Sequence, residues 1–104
     1  MNWKEERMIY MMAKYKVREG SEAVVKAAAG EFVETIRLNA TGLPEFAVYC
    51  DKDGLIFYHI MTFEDDSAAV LHRDASHTEK FWETVLPHCE EIQQLSELQL
   101  IASL

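Results

Sequence analysis

The stretch LIFYHIMTFEDDSAAVLHRDASHTEKF, residues 55–81, decides how the rest of the chain is read. It opens with a run of aromatic and branched residues from Leu55 to Phe63, bounded by Asp53-Gly54 and by Glu64-Asp65-Asp66, the composition of a buried strand. Alternation puts Leu55, Phe57, His59, Met61 and Phe63 on one face and Ile56, Tyr58, Ile60 and Thr62 on the other. Both faces are largely apolar, as in a strand covered on two sides. Asp65 or Asp66 then caps a helix of about two turns reaching Arg73. Ser76-His77-Thr78-Glu79 fits a capping box, and the helix behind it carries Phe81, Trp82, Val85 and Cys89 on one stripe; Pro87 falls inside that stripe, so a kink or a restart is expected near Leu86.

Outward from this stretch the pattern stays regular. Met8 to Val17 reads as a first strand, with Tyr15 on the face of Ile9, Met11 and Ala13. Ser21 is placed to cap a helix over 22–38 whose apolar stripe is Val25, Ala28, Ala29, Phe32, Val33 and Ile36. Gly30 lies inside that helix at a cost of about 1 kcal/mol relative to alanine, so close packing is expected there. Glu45 to Cys50 is a second strand, joined to the third by Asp51-Lys52-Asp53-Gly54 as a hairpin. Leu95 to Leu104 alternates and reads as the last strand, with Leu98, Leu100 and Ala102 inward.

The order strand, helix, strand, strand, helix, helix, strand predicts an α+β, ferredoxin-like fold: a four-stranded antiparallel sheet with helices on one face. One set of helices covers one face only, so the other apolar face predicts a homodimer. The 104 residues suit a single domain over 8–104 behind a short leader, residues 1–7. A net charge of -8 argues against nucleic acid or an anionic membrane as partner. There is no membrane-spanning run and no signal-peptide core, which makes the cytoplasm the expected compartment. Cys50 and Cys89 form no metal or redox spacing and are expected to be reduced and buried.

The same elements carry a resemblance. A strand ending in Phe63, the acidic turn 64–66, Ala68-Ala69, and His72 and His77 followed by Phe81 resemble the antibiotic biosynthesis monooxygenase family. AKYKVREG (13–20) and TGLPEFAVY (41–49) agree with it. The resemblance implies a dimeric α+β barrel with a small-molecule pocket between each sheet and its helices. It further implies oxidation of a small aromatic, a quinol or an anthrone-like compound, by dioxygen without a cofactor. Many members have Glu-x-Trp at the end of the third strand, where this chain has Met61 and Phe63. The asparagine, tryptophan and histidine of the heme-degrading relatives correspond to Ala13, Phe63 and about Trp82, so heme oxygenation is not expected.

Neither a nucleotide-binding nor a flavin-binding motif is present, and no cofactor or metal is expected. His72 and His77 are five residues apart across a helix break, not the spacing of a metal pair. His59, desolvated among Phe57, Met61 and Phe63, is the candidate base, and Tyr15 the candidate orienting donor. The competing reading of His59 is a buried histidine bonded to the backbone or to a partner subunit. Phe57, Met61, Phe63, His72, His77 and Phe81 are the candidate substrate-binding residues. His88 is expected in solvent. Two other functions stay open: an isomerase using an acid–base pair, and a ligand-binding dimer without catalysis.

Overall fold

The computed structural model describes residues 7–104; the expected leader, apart from Arg7, lies outside the described residues. Strand β1 runs Ile9–Val17, helix α1 Glu22–Asn39, β2 Glu45–Cys50 and β3 Ile56–Phe63. Helices α2 (Asp66–Asp74) and α3 (Ser76–Val85) follow, then a short 3-10 turn at Leu86–His88 and strand β4, Cys89–Leu98. The four strands form one antiparallel sheet in the order β2-β3-β1-β4, so the two middle strands are β3 and β1. This is the ferredoxin-like arrangement that the sequence pattern predicts.

Alternation in β3 and β1 builds the inner face. Phe57, His59, Met61 and Phe63 and, opposite them, Ala13, Tyr15 and Val17 are buried. The stripe on α1 packs down on them through Val25, Ala29, Phe32 and Ile36, and α3 adds Phe81 and Val85. The hairpin between β2 and β3 is held by Asp51, whose carboxylate accepts from the amides of Leu55 (3.1 Å) and Ile56 (3.3 Å). Asp65 caps α2 by accepting from the amide of Ala68 at 2.9 Å.

Several local expectations fail. Gly30 is exposed, and a Cβ there would meet nothing within 4 Å, because it sits on the outer side of the helix, off the packed stripe. Neither Ser21 nor the capping box caps its helix. The backbone of Ser21 is not extended (φ -99°, ψ 1°), and its hydroxyl bonds His88 Nδ1 at 3.0 Å, which leaves His88 half-buried rather than in solvent. Ala75 serves as both the C-cap of α2 and the N-cap of α3, so Ser76 is already helical and makes no cap bond. Cys50 is exposed; only Cys89 is buried, and both thiols are free. The last strand begins six residues earlier than expected, at Cys89, and Leu98 and Leu100 are exposed. Pro87 stops α3, and β4 then pairs with β1 through a polar edge segment, EEIQQ, with no alternation to betray it.

The two glycines at α1 and before β2 give opposite expectations. Gly30→Ala stabilises the fold by about 1 kcal/mol, since it removes unfolded-state entropy at no steric cost. Gly42→Ala destabilises it, because φ is +77° and the new Cβ falls 2.7 Å from Ala68 Cβ. Urea unfolding of both variants checks this; a destabilised Gly30→Ala contradicts the placement of that helix face.

Candidate functional site

Ala13 is the residue that opens the site. It faces His59 directly across β1 and β3, and its single methyl leaves room above the centre of the sheet. The room becomes a cavity of about 460 Å³ between the sheet and the helices, walled by Met11, Ala13, His59, Met61 and Phe63 from the inner strands. Helix α1 contributes Phe32, α2 contributes Ala69, Val70, His72 and Arg73, α3 contributes Thr78 and Trp82, and the edge strand β4 contributes Gln93 and Leu95. The walls are mainly apolar, with few polar groups among them, the usual make-up of a small-molecule site.

His59 forms the polar part of the floor. Tyr15 stands two residues further along β1 than Ala13, diagonal to His59 and within reach of a long side chain. Its Oη lies 2.9 Å from His59 Nε2, and both residues are almost fully buried, at 2% and 1% exposed. Phe57 stacks on Tyr15 (5.5 Å between centroids, 11° between planes), and Trp82 stacks on the imidazole at 5.5 Å. Burial, and secondarily the neighbouring His72, push the His59 imidazole down to about 4. His72 is likewise pushed down to about 4, by burial and then by His77. Burial, with a lesser effect from Cys89, holds the Tyr15 phenol well above its usual range. At neutral pH the site therefore contains two uncharged imidazoles and an un-ionised phenol.

Of the residues singled out from the sequence, His59, Met61, Phe63 and His72 line this cavity. Tyr15 and Phe57 lie behind it in the core, Tyr15 touching it through His59. Phe81 packs on Phe32 (4.5 Å) and approaches the His59 ring to 5.2 Å. His77 turns the other way, into a surface groove of about 630 Å³ between α1 and α3 that Phe81 also borders. The groove is edged by the exposed pair Lys80 and Glu31, 3.6 Å apart. His72 and His77 remain neighbours, their ring centroids 6.3 Å apart, with Phe32 stacked near His72 at 5.8 Å. Among the described residues no three histidine, cysteine or acidic side chains converge as a metal site.

Thr78, Trp82, Arg73, Gln93 and Leu95 escaped the sequence reading as site residues. Trp82 was legible only as part of an apolar helical stripe. Gln93 depends on strand register. Between the pairs Lys14–Gln94 and Lys16–Glu91 the ladder slips, so that Ile92 and Gln93 together oppose Tyr15. No spacing rule in the sequence marks that bulge.

Four antiparallel strands with helices on one face, and an aromatic-lined pocket between sheet and helices, define the class of ferredoxin-like α+β domains. The profile of the antibiotic biosynthesis monooxygenase family matches residues 8–84, and the chain belongs to that family. Its fold is similar to that of an antibiotic biosynthesis monooxygenase of known structure, at TM-score 0.82 and 15% identity, over 90% of this chain and 99% of that one. It is also similar to Rv0793 from Mycobacterium tuberculosis, at TM-score 0.81 and 14% identity, over 92% of this chain and 97% of that one. A conserved protein from Methanosarcina mazei aligns with TM-score 0.84 and 13% identity, over 95% of this chain and 98% of that one. At such identities the likeness establishes the fold. No curated protein matches the sequence.

The buried imidazoles make stability depend on pH. Both ionise lower in the folded chain, at about 4, than the roughly 6.5 of an unfolded histidine. Their contribution is full above pH 6.5 and is lost as pH falls from there toward 4, because unfolding takes up the protons. For the fully buried His59 the loss is on the order of 3 kcal/mol across the window. Urea midpoints at pH 7 and pH 4 measure it, and a His59→Phe variant loses part of the slope. A slope that His59→Phe leaves unchanged contradicts the burial of a neutral imidazole.

Proposed function

We propose that this protein is a cofactor-independent monooxygenase that oxidises a small electron-rich aromatic, a quinol or an anthrone-like compound, with dioxygen. One observation carries the reading: in a chain of this family, a neutral imidazole held by a buried phenol forms the floor of an aromatic-walled cavity. Dioxygen is apolar and partitions into such a space, and a bound aromatic displaces the water that would quench a reactive anion.

The chemistry needs a base and orientation. For His59 to act as the base, its Nε2–H donates to Tyr15 Oη, which leaves the Nδ1 lone pair for the substrate. Nδ1 takes the acidic proton; the imidazolium then keeps its bond to Tyr15, and the substrate becomes a carbanion–enolate. That anion gives one electron to dioxygen, and the radical and superoxide combine to form a carbon–oxygen bond. The peroxide that results loses the remaining proton on that carbon and breaks its O–O bond, so the methylene of an anthrone, or a ring C–H of a quinol whose hydroxyl gave the first proton, becomes a carbonyl and the second oxygen leaves as water. Carbon is oxidised by the four electrons that dioxygen accepts, and no further reductant enters. Met61, Phe63, Phe32 and Trp82 hold the ring, and His72 offers a second polar contact.

The active form is taken to be a homodimer in the cytoplasm. The outer face of the sheet supports the first point, since Tyr10, Met12, Tyr58 and Ile60 lie there on the side away from the described helices and Tyr49 is 60% exposed. Two free thiols suit the second. A second reading is favoured by the presence of two neutral histidines in one cavity, His59 and His72, which suits an isomerase shifting a proton next to a carbonyl.

Oxygen uptake with a panel of quinols and anthrones separates these. Uptake above the uncatalysed rate is expected, reduced about a hundredfold or more in His59→Ala and less in Tyr15→Phe. Absence of uptake with every compound contradicts the oxygenase and favours the isomerase, and unchanged uptake in His59→Ala removes His59 as the base.

A further inference from the structure

Two imidazoles lie side by side in a way that their spacing in the chain conceals. Five residues of continuous helix would turn His77 roughly 140° away from His72. The chain breaks its helix at Ala75, whose extended backbone (φ -66°, ψ 144°) ends α2 and starts α3. The break brings the two rings together, with 6.3 Å between their centroids and 51° between their planes. Phe32 of α1 backs both, 5.8 Å from His72 and 6.1 Å from His77. Each ring has one nitrogen that the fold leaves unpaired: His72 Nδ1 and His77 Nε2 are buried and make no hydrogen bond among the described residues. Buried polar atoms are normally paired, so two orphans on neighbouring rings call for a partner from outside the chain.

Both rings also wall one small pocket of about 200 Å³, between the C-terminal end of α1 and the α2–α3 junction. That is below the roughly 300 Å³ at which pockets for organic ligands begin, and it suits an ion with its waters. A metal–nitrogen bond of about 2.0 Å, continued about 1.1 Å to the ring centre, puts two imidazole centres about 6.2 Å apart across an ion held from opposite sides and about 5 Å apart at a tetrahedral angle. The 6.3 Å observed lies at the wide end of that range, so the rings need draw together by about 1 Å at most. Asn39 lines the same pocket; its amide nitrogen donates to the Thr35 carbonyl at 3.0 Å, which leaves its side-chain oxygen as a further ligand atom. Neutral imidazole nitrogen selects borderline ions such as zinc, copper and nickel over magnesium and calcium, which take oxygen. A net charge of -8 favours any cation over an anion.

We propose that His72 and His77 together bind one transition-metal ion of the copper, zinc and nickel class in the pocket they share. The ion clasps α2 to α3 across Ala75, with water or Asn39 completing its coordination. The proposal is independent of the oxygenase reading, in which neither His77 nor this pocket has a part.

The test uses the full chain without a purification tag, titrated with Zn2+, Cu2+, Ni2+ and Mg2+ at neutral pH. Zn2+ is diamagnetic, so nitrogen-15 NMR of the wild type reads the ligands directly. One equivalent should shift a ring nitrogen of His72 and one of His77 together while those of His59 and His88 stay in place, and excess Mg2+ should move none of them. Calorimetry should give one site, tighter for Cu2+ than for Zn2+ or Ni2+, and weakened about tenfold or more by either His72→Gln or His77→Gln. The melting temperature should rise with Zn2+ in the wild type and rise less in the folded variants. Shifts confined to His88, or to one of the two rings, place the ion elsewhere and overturn the proposal. Ring nitrogens of the wild type that Zn2+ leaves unmoved overturn it as well, and the oxygenase reading then stands untouched. The NMR measurement needs only the wild type, so a variant that fails to fold does not weaken the test.

Discussion

A hydrogen bond of 2.9 Å between two nearly inaccessible side chains, Tyr15 and His59, is the constraint on which the site depends. An imidazole buried in an apolar layer costs stability unless it is uncharged and at least one of its nitrogens is paired. The phenol meets that condition from within the fold, and it engages Nε2 alone, so Nδ1 has no bond to Tyr15. The rest of the inner face arranges itself around the pair. Phe57 and Trp82 enclose it in aromatic surface, and Ala13, by being small, leaves space above it instead of filling it.

The same cavity shows what this chain places at two positions of the third strand. Where many members of the family have an acid and an indole at the end of the third strand, this chain has Met61 and Phe63, both on the cavity wall. A thioether in place of a carboxylate carries no charge, so nothing at that position draws a proton onto His59. An indole is nonetheless present. It comes from α3 as Trp82 and stacks on His59 at 5.5 Å. Aromatic surface over the floor of the pocket is thus supplied by a different element.

How legible this was in the sequence depended on the reach of each interaction. Strand β3 could be read residue by residue because its period of two separates Phe57, His59, Met61 and Phe63 from their neighbours without help from the rest of the chain. The stripe of α1 was legible for the same reason. Features set by long-range register were not. Tyr15 and His59 are both prominent in the sequence, but their bond follows from the pairing of Tyr15 with Phe57. Gln93 enters the cavity through a slip between β1 and β4, and the leucines after residue 95 imitate a strand more convincingly than the polar segment that forms it. Helix caps failed where two helices share one residue, Ala75, since a capping box assumes a free N-terminus.

The most direct test of this account is the titration of His59 followed through its ring nitrogens by nitrogen-15 NMR, in wild type and in Tyr15→Phe. The account predicts a His59 that stays neutral from pH 8 until the pH nears about 4, with one nitrogen protonated and the other bare, and a tautomer ratio that shifts when the Tyr15 hydroxyl is removed. A His59 that titrates near 6.5, with a tautomer ratio indifferent to Tyr15, would contradict it.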